Sequence, residues 1–257
     1  MRATSIFWLL LLAVPSIEAA SYQKTDGTIV DPIQISPLLG GDHAYAGNNL
    51  EPGAHLVDAD LHDAFLTEAD LAGANLTHAV LTDTWMTDAD LSNAVLLGAD
   101  LHSADIMGTD ANHANFQGAD LTLVHAPDTN FRNADFTGAT LSTLDGAGAD
   151  LFGAILVNVA MDMASLNGAN LQGACLTCAN ITLTNFRNAS LFDADFEDSY
   201  YYDTYMPYGE FNWDAMGVQR MTWPDVPEAC RVASVPESSS FWLFIPALYW
   251  LFLRRRP

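Results

Sequence analysis

Apolar residues recur every five positions through the middle of this chain, and the frame never slips. Counting in fives from Ala54 to Ser199 gives 30 positions, of which 22 are Ala. Two residues further on, Leu56 to Phe196 gives 29 positions holding 17 Leu, 5 Phe, 2 Met and 2 Ile. The residue between them is often Asp or Asn, as in Ala59-Asp60-Leu61, Ala69-Asp70-Leu71 and Ala169-Asn170-Leu171. A helix would repeat its apolar face at 3.6 residues and a plain strand at two, so a period of five fits neither. It predicts a short strand with Ala and Leu inward, the residue between them outward, and a corner after each unit. Four units then close a square coil of about 20 residues, and stacked coils pair backbones at about 4.8 Å.

Two departures fit the same scheme. Where the larger inward position is emptied, to Ala126 and Gly146, the inward neighbour two residues earlier grows, to Val124 and Leu144. A close-packed interior requires that exchange of volume. The two sites are 20 residues apart and stack in adjacent coils.

The frame over residues 54–199 resembles that of the pentapeptide-repeat family. The resemblance implies an all-β fold, a right-handed quadrilateral β-helix of about seven and a half coils. Open ends of such a solenoid need covering. Residues 20–53 carry turn chemistry at Asp31-Pro32, Ser36-Pro37, Gly40-Gly41 and Asn49 to Gly53, and are expected to form an N-terminal cap. Asp26 to Ile33 resembles the lead-in of exported members. Residues 200–234 are dense in aromatics, from Tyr200 to Trp223, and are expected to supply a C-terminal cap and linker. Tyr202-Asp203-Thr204 with Pro207, Gly209 and Phe211 is similar to the closing tail of such proteins.

The two ends read as addresses. Residues 1–19 have Arg2, an apolar stretch from Ile6 to Val14, Pro15 and a small-residue exit, the layout of a signal peptide with cleavage at Ala19 and Ala20. Residues 235–257 combine Val235-Pro236-Glu237-Ser238, an uncharged run from Phe241 to Leu253, and Arg254-Arg255-Arg256. That tail resembles the PEP-CTERM sorting signal of Gram-negative bacteria. The resemblance implies processing near Pro236 and Glu237 by an inner-membrane exosortase, with the Arg cluster held cytoplasmic. The chain is thus expected to begin with a signal helix and end with a hydrophobic transmembrane helix, to engage the secretion machinery and exosortase, and to hold the membrane by its tail before processing.

Charge narrows the function. The whole chain has 9 Lys and Arg against 32 Asp and Glu, a formal net charge of −23. Binding to a phosphate backbone needs clustered bases, so a nucleic-acid partner is excluded. Half the residues are apolar, which argues against disorder.

Candidate chemistry is sparse. Asp70, Asp90, Asp110 and Asp150, with Asn130 and Asn170, fall in one outward column, where neighbouring carboxylates either hold raised pKa values or gather divalent cations. The alternative is a solvated, repulsive face that keeps the rod soluble. Cys175 and Cys178 lie on one coil and Cys230 in the tail; a local bridge or a link to Cys230 is expected in an oxidising compartment. His62 and His102 share a column but lie two coils apart, too far to hold one metal. Phe65 and Trp85 are outward neighbours in adjacent coils, placed either to stack on a sugar ring or a partner or to pack under the N-terminal cap. No nucleophile, base and orienting group occur at a catalytic spacing, and a convex rod lacks the pocket catalysis needs. No cofactor is implied.

The sequence thus predicts an exported, non-enzymatic, structural or adhesive rod of the cell envelope or exopolysaccharide matrix. PEP-CTERM proteins as a class imply partners among surface polymers. The alternative is an acidic mimic of duplex DNA that occupies a type II topoisomerase. Residues 54–199 hold 21 acids and only Arg132 and Arg187 as bases, which suits such a mimic.

Overall fold

Every backbone N–H in one five-residue unit has a destination, and that accounting defines the architecture. In the unit around Leu76, Asn75 N–H donates to Ala54 O at 2.8 Å, Leu76 N–H to Val95 O at 2.7 Å and His78 N–H to Leu97 O at 2.9 Å. Ala79 N–H closes the corner on Leu76 O at 3.0 Å. The fifth, Thr77 N–H, is met by the Asn75 side-chain oxygen at 3.1 Å. Three bonds hold coil to coil and two shape the corner.

The computed structural model describes residues 20–35, 40–201 and 204–206, and the backbone of 219–220. The chain divides into two compact units, Met1–Asp225 and Val226–Pro257, and all described residues belong to the first. From His55 onward, each outward residue pairs in parallel with the one 20 residues later, through Asn185 with Tyr205. Four such ladders run up the four sides of the rod. No helix occurs among the described residues, and both expected terminal helices fall outside them.

The Ala and Leu positions are buried almost without exception, and the residues between them are not. The emptied positions are filled as volume requires: a Cβ on Gly146 would meet Leu144 Cδ2 at 2.8 Å and Leu166 Cδ2 at 3.0 Å. Midway along the rod Phe116 and Phe136 stack with ring centres 4.9 Å apart, and Phe131 meets both edge-on. Polar residues that replace Ala inside find carbonyls: Thr109 Oγ1 donates to Met86 O and Thr129 Oγ1 to Ile106 O, each at 2.8 Å.

Every corner is left-handed. All 30 residues in the series from Gly53 to Asp198 have positive φ, between 54° and 74°. With the carbonyl–amide bond across it, this is the geometry of a type II turn. Ten of the 30 are Gly and eleven are Asp or Asn, the residues that tolerate this region best.

At the N-terminal end β1 (Tyr22–Gln23) forms an antiparallel pair with β2 (Ile29–Val30). It also wedges between Leu50 and the first coil: Gln23 N–H donates to Leu50 O, and Asp70 N–H donates to Gln23 O at 2.6 Å. β3 (Gln34–Ile35) pairs antiparallel with β4 (Ala64–Phe65), so two sides of the first coil have their edge bonded. Tyr22, Ile33 and Leu50 bury themselves in the same core as the coils. Lys24 adds an ion pair to Glu68 at 2.9 Å.

At the other end the ladder runs on past residue 199. β5 (Tyr200–Tyr201) pairs with Asn180 below it and in parallel with β6 (Gln219–Arg220) above it. Tyr at the outward position does not disturb the pairing, because the backbone alone makes it. The aromatic residues beyond Met206 lie outside the described residues.

Candidate interaction surface

The outward face of each unit has three positions: the ladder residue between Ala and Leu, and two corner residues. Of the 29 ladder positions from His55 to Asp195, 17 are Asp or Asn. All 17 turn a side-chain oxygen onto the backbone N–H two residues later, at 2.8 to 3.5 Å. These are Asx turns, and they satisfy the one corner N–H that no carbonyl reaches.

This finding changes the reading of the acidic column. Asp70, Asp90, Asp110, Asn130, Asp150 and Asn170 do stack as ladder neighbours. Their Oδ1 atoms are nevertheless engaged by Ala72, Ser92, Asn112, Arg132, Phe152 and Gln172 N–H. Asn130 and Asn170 donate to the carboxylates of Asp110 and Asp150 at 2.8 and 2.9 Å, and Arg132 Nη1 holds Asp150 at 2.8 Å. Among the described residues no group of three or more His, Cys, Asp or Glu is placed to hold a metal ion. The column is a row of corner caps, with amides and one guanidinium between part of its charges.

The second set of acids sits at the left-handed corner. Seven Asp and Glu68 occupy that series, so 19 of the 21 repeat acids stand at one of two positions with a backbone role. Corner side chains lean along the rod. Asp88, Asp128 and Asn133 lie over Gly108, Gly148 and Gly153, each with Oδ1 within 2.7 Å of where a Cβ would stand.

The remaining candidates are placed as follows. Cys178 is disulfide-bonded and Cys175 is a free thiol, so of the two expected pairings the bridge within Cys-x-x-Cys does not form; the two residues sit at different stations of the unit, ladder and corner. Cys230 lies outside the described residues, as do Ala19, Val235, Pro236, Glu237, Arg254, Arg255 and Arg256. Ala20 is buried at the start of the cap, donating to Tyr45 O at 3.1 Å and accepting from Ile33 N–H at 3.0 Å. Phe65 and Trp85 face each other with ring centres 6.4 Å apart, and β3 covers the backbone edge beside Phe65.

Histidines cluster at the cap end. His43 is buried, donates from Nε2 to His62 O at 2.7 Å and accepts Tyr45 N–H on Nδ1 at 3.0 Å. His62 Nδ1 lies 2.6 Å from Asp60 Oδ1; that bond holds His62 above, and Asp60 below, its ordinary pKa. Burial alone would raise Asp135, but hydrogen bonds from Thr137 and Gln117 outweigh it and leave the carboxyl below its usual range.

The family model described as Pentapeptide repeats matches in eight copies, beginning at residue 54 and ending at 200. No curated protein matches. Among solved structures, a pentapeptide-repeat protein of Nostoc PCC 7120 is 31% identical over 44% of this chain and 84% of its own, with a TM-score of 0.34. HetL of the same strain, involved in heterocyst differentiation regulation, is 27% identical over 64% of this chain and 79% of its own, with a TM-score of 0.28. QnrB1, a plasmid-mediated fluoroquinolone resistance protein, is 14% identical over 67% of this chain and 90% of its own, with a TM-score of 0.45.

Proposed function

The chain belongs to the pentapeptide-repeat family, and on that premise we propose that it is an exported, non-catalytic rod that presents its outward columns to a partner in the cell envelope or exopolysaccharide matrix. The carrying observation is the division of labour within each unit. The interior and most backbone groups are satisfied by the repeat itself, so outer side chains other than the capping Asp and Asn and the left-handed corner residues vary at little cost to the fold. What they form is a convex, acidic surface suited to binding rather than to enclosing a substrate. Export is supported by the two terminal signals and by Ala20. Cleavage after Ala19 keeps both Ala20 backbone bonds within the mature chain, whereas cleavage one residue later removes the acceptor of Ile33 N–H.

The test is the intact mass and cell fraction of the protein from its native host. A chain that starts at Ala20, ends near Pro236 or Glu237 and sits in the envelope or matrix is the expected result. A chain that keeps both termini and remains in the cytoplasm overturns the proposal.

A second reading is favoured by one observation, the net charge of −19 on residues 54–199. An acidic rod of this kind is suited to imitating duplex DNA and protecting or inhibiting a type II topoisomerase. Inhibition of gyrase supercoiling by the mature rod would favour this reading, and no effect at large excess removes it.

A further inference from the structure

The left-handed corner series contains one column that breaks its own rule. Gly, Asn or Asp occupies 21 of the 30 corners. Along one edge of the rod, however, four successive coils carry Leu123, Thr143, Met163 and Leu183, with φ of 61°, 59°, 59° and 57°. Leucine, methionine and the β-branched threonine are poorly suited to that backbone. Two of them are exposed, Leu123 at 53% and Met163 at 45%, while Thr143 and Leu183 are half-buried. Other exposed apolar side chains are dispersed over other edges, and Phe152 among them is covered by the Arg132 guanidinium at 4.4 Å. A strained backbone that presents Leu123 and Met163 to solvent along one largely apolar edge points to a surface kept for contact.

Charge indicates what covers it. Residues 54–113 carry eleven acids and no Lys or Arg, while residues 154–192 carry only Asp162 and Arg187. Two copies of so acidic a rod repel along most of their length and approach at least cost over the coils of 154–192, where the single carboxylate, Asp162 beside Met163, accepts a hydrogen bond from Ser142 Oγ at 2.7 Å. We propose that this edge is the contact between two antiparallel copies of the chain, related by a two-fold axis crossing it between Thr143 and Met163. Leu123 then faces Leu183 of the partner subunit, and Thr143 faces Met163 of the partner subunit. The same patch serves both copies, as an isologous contact requires. The acidic coils over 54–93 project past the partner's ladder, whereas a parallel pair would set them side by side. The edge spans three coil spacings, roughly 14 Å, so the contact is at the small, reversible end of the range.

The test compares the full chain, held in mild detergent, with a variant carrying Leu123→Asn, Met163→Asn and Leu183→Asn. Asn is better suited than Leu or Met to a left-handed corner, so the variant should melt no lower than the parent while its dimer weakens at least roughly tenfold in sedimentation. A merely structural role for the edge would not separate those two readouts. Orientation is read by mixing chains carrying Thr143→Cys with chains carrying Met163→Cys: mixed disulfides should form faster than like pairs. The proposal is overturned by a parent that stays monomeric into the high-micromolar range, whether its edge is open or covered by its own chain. A dimer unchanged in the variant, or like pairs that cross-link fastest, overturns it equally.

Discussion

The coils over 54–113 and those over 154–192 share one backbone and one interior but almost nothing outside. The first group carries eleven acids, no Lys or Arg, and His55, His62, His78, His102 and His113. The second carries one acid and one base, with Ile155, Met163 and Phe192 exposed among otherwise neutral residues. Both bury the Ala and Leu columns, and both run the same ladder with a period of 20. In this fold the charge of the outer surface therefore changes without a change in the ladder or the core beneath it, and function must be sought in how the outer columns change along the rod.

The comparison rests first on equivalent interiors. Leu81→Ala and Leu176→Ala, both in fully buried positions of the contrasting regions, should each cost about 2–5 kcal/mol. The stacked Phe136 between the regions should cost about 3–5 kcal/mol on truncation to Ala. Denaturant unfolding measures all three, and a large difference between the two leucines would break the claim of a common core.

Corners come next. Gly148→Ala must adopt a φ of 73° and place its Cβ 2.4 Å from Asp128 Oδ1, whereas Gly138→Ala faces a φ of 70° with open space. The first should cost about 1–3 kcal/mol and the second less. Equal losses would mean that backbone conformation alone sets the price.

The outer charge gives a smaller and more pointed contrast. Asp90→Asn keeps a side-chain oxygen for Ser92 N–H and removes a charge between Asp70 and Asp110; Asp90→Ala loses both. The amide should leave the melting temperature unchanged or raise it, most visibly at low salt, while Ala costs about 0.5–1.5 kcal/mol. Identical behaviour of the two variants would show that the corner cap contributes nothing.

The smallest effect is the His62–Asp60 pair. Its bond raises His62, so that contribution is complete below the ordinary histidine pKa and disappears as pH rises through the folded value. The same bond lowers Asp60, whose contribution is complete above the ordinary aspartate pKa and lost as pH falls through its folded value. Both groups are largely exposed, which keeps the effect slight. A melting-temperature profile between mildly acidic and neutral pH should show a small decline that Asp60→Asn abolishes.

The repeat, its inward columns and the compensation at Val124 and Leu144 were legible because they are periodic and set by volume. The job of the outer Asp and Asn was not. It follows from asking which corner N–H lacks a carbonyl, and that requires the ladder to be built first. The wedge of β1 between Leu50 and Asp70 was hidden for another reason: it pairs residues far apart in sequence, and turn chemistry at Asn49 to Gly53 says nothing about what enters beside it. Leu123, Thr143 and Met163 were hidden because local preference points away from the conformation they adopt. Among the site residues, the Asp column was found by spacing alone, while the fate of its oxygens depended on angles that spacing does not contain.

Because Asp and Asn close a corner equally well, hydrolysis of a ladder amide that does not, like Asn130 and Asn170, bridge to a neighbouring carboxylate is nearly invisible to the fold. Six of the 17 capped corners hold Asn and eleven hold Asp. Conversion of any Asn75-type amide to Asp adds a negative charge while the oxygen facing the corner stays in place. A long-lived rod would thus drift toward greater acidity with age, and its electrophoretic mobility would record that drift while its melting curve scarcely moved.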